Sequence, residues 1–228
     1  KTMYCKYVNS SATADRSALI PGADSLILFC EAISFRGRAI AIGANNCGGI
    51  YGCYMHDSDI GLRVTQAAKY TFSWNIISDC VTAAISLAGT HTNDIQLISN
   101  TLYGCEDTLG VGVLIQTGST DTRLLNNIIY GFVTGVDHAD TQSMAYDDYN
   151  DYFNNDADVS AAGEWQKGMN DLAVDPDFTN VVQLSGATAT TSSAVLTQSG
   201  ADFATVTNNV DFCHIRAGTG VTAGKYLI

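Results

Sequence analysis

"SNTLYGC" at residues 99–105 has a near copy on either side: "WNIISDC" at 74–80 and "NNIIYGF" at 126–132. Each carries an Asn, an aliphatic residue two places on, and a Cys or Phe five places on. Three copies set a period, and the period decides the fold. With Asn100 as anchor, the equivalent positions are Cys5, Cys30, Cys53, Asn75 and Asn127, spaced by 22 to 27 residues. Two places after the anchor stand Tyr7, Ala32, Met55, Ile77, Leu102 and Ile129; three places before it, from the second copy, stand Ile27, Ile50, Phe72, Leu97 and Leu124. Five places after it, again from the second copy, come Phe35, Ser58, Cys80, Cys105 and Phe132. A second short apolar strand follows each anchor by eight to twelve residues: "AIAI" at 39, "GLRV" at 61, "AISL" at 84, "GVLI" at 112 and "GVDH" at 135.

Each unit therefore holds two or three strands of period two separated by turns. A repeat of that length and make-up predicts a solenoid, in which every coil stacks on the last and buries alternate side chains. Two Pro against 21 Gly, with abundant Ile, Val, Thr and Tyr, favours strand and leaves little helix. An Asn at the bend of such a coil can bond its amide to the Asn above and below, at the ~4.8 Å spacing of stacked strands. The same register puts Cys5, Cys30 and Cys53 on the anchor rung and Cys80 with Cys105 on the plus-five rung. Buried Cys behaves as a small hydrophobe, so stacked reduced thiols are expected, although neighbouring rungs are close enough for a bridge.

The pattern x-Ile-x-x-Asn-x-Ile followed by Gly-Ile-x-Ile resembles the right-handed parallel β-helix of the pectin-lyase-like superfamily, over roughly residues 1–180. Leucine-rich repeats share the period but need an L-x-x-L-x-L consensus that is not visible. From 142 the run "DYNDYFNN", then "GEWQKGMND", then "DPDF" is similar to the closing segment of many secreted β-helix proteins. There Asn150 would be a seventh anchor and Trp165 a lid on the stack. The expected architecture is all-β: a right-handed parallel β-helix of about seven coils over 1–180, then a small β-rich module over 181–228. In that module "VDFCHIRAGTGVTAGKYLI" reads as two strands around a Gly-rich turn, and its apolar end suggests a longer parent chain or completion by a partner.

Eleven basic residues against 23 acidic give a formal charge of −12, which argues against nucleic acid and anionic membrane as partners. No apolar run is long enough to span a bilayer, so membrane insertion is not expected. The N-terminus lacks the apolar core of a signal peptide, and a start at Lys1 reads as a processed protein or a fragment.

Enzymes of the resembled fold cleave acidic polysaccharides, as lyases with Ca²⁺-binding carboxylates and a basic residue or as hydrolases with paired Asp. On outward positions of adjacent coils, Asp57 with Asp79 and Arg36 with Asp59 are the residues that would serve under an enzymatic reading, one rung apart at ~5 Å. Their structural reading is as turn formers and a surface ion pair. No dense cluster of Asp, Arg and Lys accompanies them. As a glycan-binding surface the exposed aromatics Tyr54, Trp74 and Tyr103 and the outward acids Glu106 and Asp107 stand out. Asn154, Asp156 and Asp158 have the spacing of a Ca²⁺ loop but lack its Gly and its closing Glu, so no cofactor is expected beyond a loose Ca²⁺ contact. The four His show no metal spacing, and His56 is placed in a turn. The function expected is that of an extracellular, cell-surface or virion structural protein, a filament, fibre or adhesin that assembles with copies of itself and meets polysaccharide. Cleavage of an acidic polysaccharide is the alternative.

Overall fold

The computed structural model describes residues 2–9, 16–22, 24–43, 46–65, 67–89, 92–104, 110–116, 119–139, 144–162, 164–166 and 168–176, together with four strands between 189 and 227. The chain divides into two units, Lys1–Pro176 and Asp177–Ile228. No helix occurs among the described residues.

In the first unit the chain runs through three rows of parallel strands, once per coil. The first row is an eight-stranded sheet: Thr2–Met3, Leu26–Leu28, Asn46–Tyr51, Ala67–Ser73, Thr92–Ile98, Ser119–Leu125, Met144–Asp148 and Glu164–Gln166. The second row holds short strands just past each anchor: Lys6–Asn9, Glu31–Ser34, Thr101–Tyr103, Ile128–Tyr130 and Asp151–Phe153. The third holds Ser17–Leu19, Arg38–Ile42, Val111–Ile115, Thr134–His138 and Ala157–Ala161. Two long strands, Tyr54–Val64 and Ile76–Leu87, run unbroken through both and join the second and third rows into one sheet. All pairings within this unit are parallel, with Ile77 beside Met55 and Leu102, and Leu97 beside Phe72 and Leu124. Six turns separate the anchor Cys5 from the seventh anchor, Asn150, so the solenoid expected from the repeat, and the parallel β-helix of about seven coils that the resemblance implied, is the fold.

The interior is filled row by row. Ala32, Met55, Ile77, Leu102 and Ile129 are buried at the plus-two rung, and Ile27, Ile50, Phe72, Leu97 and Leu124 at the minus-three rung. Ile42, Val64, Leu87 and Ile115 line the third row. Burying such stacked aliphatic side chains contributes about 1.5–3 kcal/mol each.

The anchors bond in series. Cys53 N donates to Asn75 Oδ1 at 2.9 Å, Asn75 N to Asn100 Oδ1 at 3.1 Å, Asn100 N to Asn127 Oδ1 at 2.9 Å and Asn127 N to Asn150 Oδ1 at 2.9 Å. The amide nitrogens donate back to carbonyls of the preceding coil, as Asn100 Nδ2 does to Phe72 O at 2.9 Å. In the coils that carry Cys instead, Cys30 N donates to Cys53 Sγ at 3.3 Å, and Cys5, Cys30, Cys53 and Cys80 carry no disulfide. Burial pushes the Cys53 thiol up to about 11 and, with Asp79 nearby, holds Cys80 higher still.

One expectation at the other corner is corrected. Phe35 does not share the plus-five rung, because it is exposed; Ser34, one residue earlier, takes that place, its N–H donating to Ser58 Oγ at 2.9 Å. The second coil reaches its corner one residue sooner than its neighbours, which a fixed offset cannot register. This corner ends on a second amide that the anchor pattern did not reveal: Phe132 N donates to Asn155 Oδ1 at 3.0 Å, and Asn155 Nδ2 to Ile129 O at 3.0 Å.

The stack is closed as the sequence implied. Trp165, on the eighth strand of the first sheet, pairs in register with Ala145 and packs half-buried on the core, its ring 6.1 Å from that of His138. Residues 171–174 take the place of a further rung: Asn150 N donates to Asp171 Oδ1 at 2.9 Å, and Leu172 N to Asn150 O at 2.7 Å. The ladder thus ends on a carboxylate.

Among its described residues the second unit contains two antiparallel pairs, Ala189–Ser192 with Val195–Gln198 and Phe212–Ile215 with Gly224–Leu227. The latter pair is the one that the Gly-rich turn predicted.

Candidate functional site

The outward residues of the second row and its two corners bring together most of the sequence-predicted site. Both corners are made by left-handed residues. The residue before each anchor, Tyr4, Phe29, Gly52, Trp74, Ser99, Asn126 or Tyr149, has φ between 52 and 63°. This turns the chain so that the anchor points inward. At the other corner Asp57, Asp79, Gly131 and Asn154 have φ of 50, 53, 75 and 54°. Gly, Asn and Asp are the residues that tolerate this region, so the type found at 57 and 79 is what the backbone asks for.

Asp57 and Asp79 do fall on successive rungs, because His56 pairs with Ser78 and Ser58 with Cys80. Their carboxylates are both engaged. Asp57 Oδ2 lies 2.7 Å from His56 Nδ1, and Ser78 Oγ donates to Asp79 Oδ2 at 3.0 Å. Asp59 accepts a hydrogen bond from Thr82 Oγ1, and Arg36 is exposed. Glu106 and Asp107 lie outside the described residues.

The group that sequence reasoning missed is His56. It stands on a strand rather than in a turn, and its side chain is fully buried although it points outward from the coil. Tyr54 covers it, the two rings stacked at 4.0 Å. Nδ1 faces Asp57, and Nε2 lies 3.0 Å from Glu31 Oε1, which in turn takes a hydrogen bond from Lys6 Nζ at 2.9 Å. A neutral imidazole has one N–H, so only the doubly protonated ring donates to both carboxylates. Partial burial pushes the Glu31 carboxyl up, but its bonds to Lys6 and His56 outweigh that and leave it below the usual carboxylate range. Burial and the charges of Asp79, Asp57 and Glu31 push the Tyr54 phenol up. With the Asp57 side chain only 6% exposed and that of His56 fully buried, this is a network spanning three coils, closed at His56 and open to solvent at Lys6. The signal for it was the alternation Tyr54–His56 on an outward strand face, one rung from Glu31.

The aromatics divide into two groups. Tyr103, Tyr130 and Phe153 form a ladder on the second row, half-buried, with centroids 5.2 and 5.9 Å apart. The corner residues are open instead: Tyr4 is 74%, Phe29 51%, Trp74 67% and Tyr149 60% exposed. Tyr4 stacks on Phe29 at 5.4 Å, and Trp74 leans on Tyr51 at 6.3 Å. The side chains of Asn154, Asp156 and Asp158 are exposed, and among the described residues no three His, Cys, Asp or Glu groups converge as metal ligands.

A second polar cluster lies inside the closed end of the coil. Asp147 occupies the minus-three rung, paired with Leu124, where the earlier coils carry hydrophobic side chains. Tyr152 OH donates to its Oδ2 at 3.1 Å and Gly168 N to its Oδ1 at 3.1 Å. Burial, and then the neighbouring Asp171 carboxylate, push the Asp147 carboxyl up to about 7. These groups serve the lid.

A family model described as a right-handed β-helix region matches residues 6–151. No curated protein and no solved structure matches the chain.

Proposed function

Because the chain belongs to the right-handed β-helix family, a fold of surface and carbohydrate-related proteins, we propose that it is a structural protein of the cell exterior or virion. It works as a rigid acidic rod that assembles with copies of itself and meets polysaccharide without cleaving it. One observation carries this reading: the carboxylates best placed for chemistry belong to the architecture. Asp57 and Asp79 sit where the bend requires a left-handed residue, and their oxygens are bonded to His56 and Ser78. A retaining pair needs two carboxyl groups about 5 Å apart that are open to a sugar ring. Asp57 is not open in that way.

The test combines mass and turnover. Light scattering of purified protein at neutral pH is expected to give a mass above one chain, and incubation with acidic polysaccharides no new reducing ends and no unsaturated products. A steady release of oligosaccharide, lost in Asp57→Asn/Asp79→Asn, would overturn the reading in favour of the enzymatic one. That alternative draws its support from the three-coil cluster of Glu31, His56, Asp57 and Asp79.

A further inference from the structure

The outward surface of the second row is three residues wide per coil: the left-handed residue before the anchor and the first and third residues after it. The coil faces two other ways as well. The first sheet presents Lys69, Asp94, Gln96, Asp121, Arg123 and Gln166 to solvent, beside half-buried Leu28, Tyr51, Ile98 and Leu125. The second-row surface differs. In the residue before the anchor it carries Tyr4, Phe29, Gly52, Trp74, Ser99, Asn126 and Tyr149; one place after the anchor come Lys6, Glu31, Tyr54, Ile76, Thr101, Ile128 and Asp151. Val8, Tyr103, Tyr130 and Phe153 stand in the third line. In a chain of net charge −12 these lines hold two acids, Glu31 and Asp151, and Glu31 is paired with Lys6.

Two features show that this surface is not shaped by folding. Bulky residues in the left-handed region are strained, and the coil itself uses Gly52 and Asn126 at the same bend. Yet Tyr4, Phe29, Trp74 and Tyr149 keep the strained conformation while staying more than half exposed. Second, the large apolar side chains along it, Tyr4, Phe29, Tyr54, Trp74, Ile76 and Tyr149, are 38% to 74% exposed. Together they leave on the order of 650 Å² uncovered, taking ~200 Å² for a whole aromatic side chain. With Val8 and the half-buried aromatic ladder this nears the ~800 Å² per partner of a stable interface.

We propose that this surface is the contact between two copies of the chain, packed face to face and antiparallel about a two-fold axis at Trp74 and Ile76. The inference rests on the self-assembly reading above and names its interface. A two-fold axis lying across the coils keeps each line of residues facing its own counterpart and pairs coil one with coil seven, coil two with coil six. Trp74 and Ile76, in the fourth of seven coils, then meet themselves. Tyr4 meets Tyr149 of the second copy. Lys6 meets Asp151, twice by symmetry, so the single cation of these lines, which within its own chain bridges to Glu31, faces an acid whose carboxylate accepts, among the described residues, only Val174 N at 3.0 Å. In a parallel arrangement Lys6 and Asp151 would stand six rungs apart. The occupant is a protein surface rather than a glycan because of the charge match between Lys6 and Asp151 and because one face of several rings is already used: Tyr54 against His56, Tyr4 against Phe29, and Tyr103 against Tyr130. The aromatic and aliphatic surface that remains suits dry interdigitated packing.

Sedimentation equilibrium of the full chain, with three variants, tests this. Wild type is expected at twice the chain mass. Trp74→Asn, which installs the residue that Asn126 already supplies at this bend, is expected at one chain mass with no loss of melting temperature. Lys6→Glu is expected to weaken association at least tenfold, and Lys6→Glu/Asp151→Lys to restore it. Ile76→Cys is expected to form an interchain disulfide on mild oxidation that wild type does not. A dimeric Trp74→Asn, or a charge swap that fails to restore association, overturns the interface while leaving self-assembly standing. A monomeric wild type whose polysaccharide binding is lost in Trp74→Asn overturns both the interface and the self-assembly reading, and makes the surface a glycan platform.

Discussion

Asp147 is the residue whose chemistry departs furthest from its place in the repeat. The minus-three rung is hydrophobic from Ile27 to Leu124, and the seventh coil puts a carboxyl there because its contacts are with the lid, not with another coil. Its raised affinity for protons, to about 7, carries a definite sign. The folded state binds the proton more tightly than the unfolded chain, so this group's stabilisation is complete below about pH 4. It is lost as pH rises toward 7, by a few kcal/mol at most. Thermal melts between pH 4 and 8 are expected to fall across that window in wild type and to flatten in Asp147→Asn. A slope unchanged by the substitution would assign the effect elsewhere. Cysteine chemistry is a residue-scale matter too. Cys30, Cys53 and Cys80 are buried, and the Cys53 and Cys80 thiols are pushed up, so little thiolate is present at neutral pH. Iodoacetamide is expected to modify these three only after denaturant is added, read by peptide mass.

At the scale of elements, stability is held by ladders rather than by single strands, several of which have three residues. Asn100 shows how much one rung carries. Its Oδ1 accepts from Asn75 N and Nδ2, and its Nδ2 donates to Phe72 O and Asn127 Oδ1. Asn100→Ala leaves the Asn75 N–H buried without its acceptor, at about 1–3 kcal/mol, and removes the bonds to Asn75 Nδ2, to Asn127 Oδ1 and to the Phe72 carbonyl, which keeps only its sheet partner, at about 0.5–1.5 kcal/mol each. The expected loss is therefore about 3 kcal/mol or more in urea titration, well above the ~0.5 kcal/mol typical of a surface change such as Gln96→Ala. The Cys-bearing coils bond less strongly at this position, since sulfur is a weak acceptor. The aliphatic rungs beside Cys30 and Cys53 must then supply more of the cohesion there.

At the scale of the whole molecule, the described second-row surface of the coil is apolar in a chain of net charge −12, and that bears on association. Two copies of −12 repel at long range, and screening that repulsion favours contact. Dimerisation through the second-row surface is therefore expected to strengthen between about 50 and 500 mM salt, by sedimentation. An interface built chiefly on ion pairs would weaken over the same range. The repeat made much of this molecule legible in advance. A 22 to 27 residue period with an amide or thiol at one fixed place dictates a stack, because each coil can satisfy its bend and bury its alternate side chains only against the next. The anchors and the plus-two and minus-three rungs follow from local pattern alone, and the Trp165 lid from the resemblance of the closing segment to other β-helix proteins. The sealed His56, the engaged Asp57 and Asp79 and the early corner at Ser34 do not, since they depend on which side chains meet across rungs 22 to 25 residues apart. Sequence by itself determined the coil, because period and alternation are properties of one strand and its neighbours in the chain. Only the tertiary structure decided which outward residues are committed to the bends and which remain open, because left-handed geometry and burial arise where separate coils come into contact.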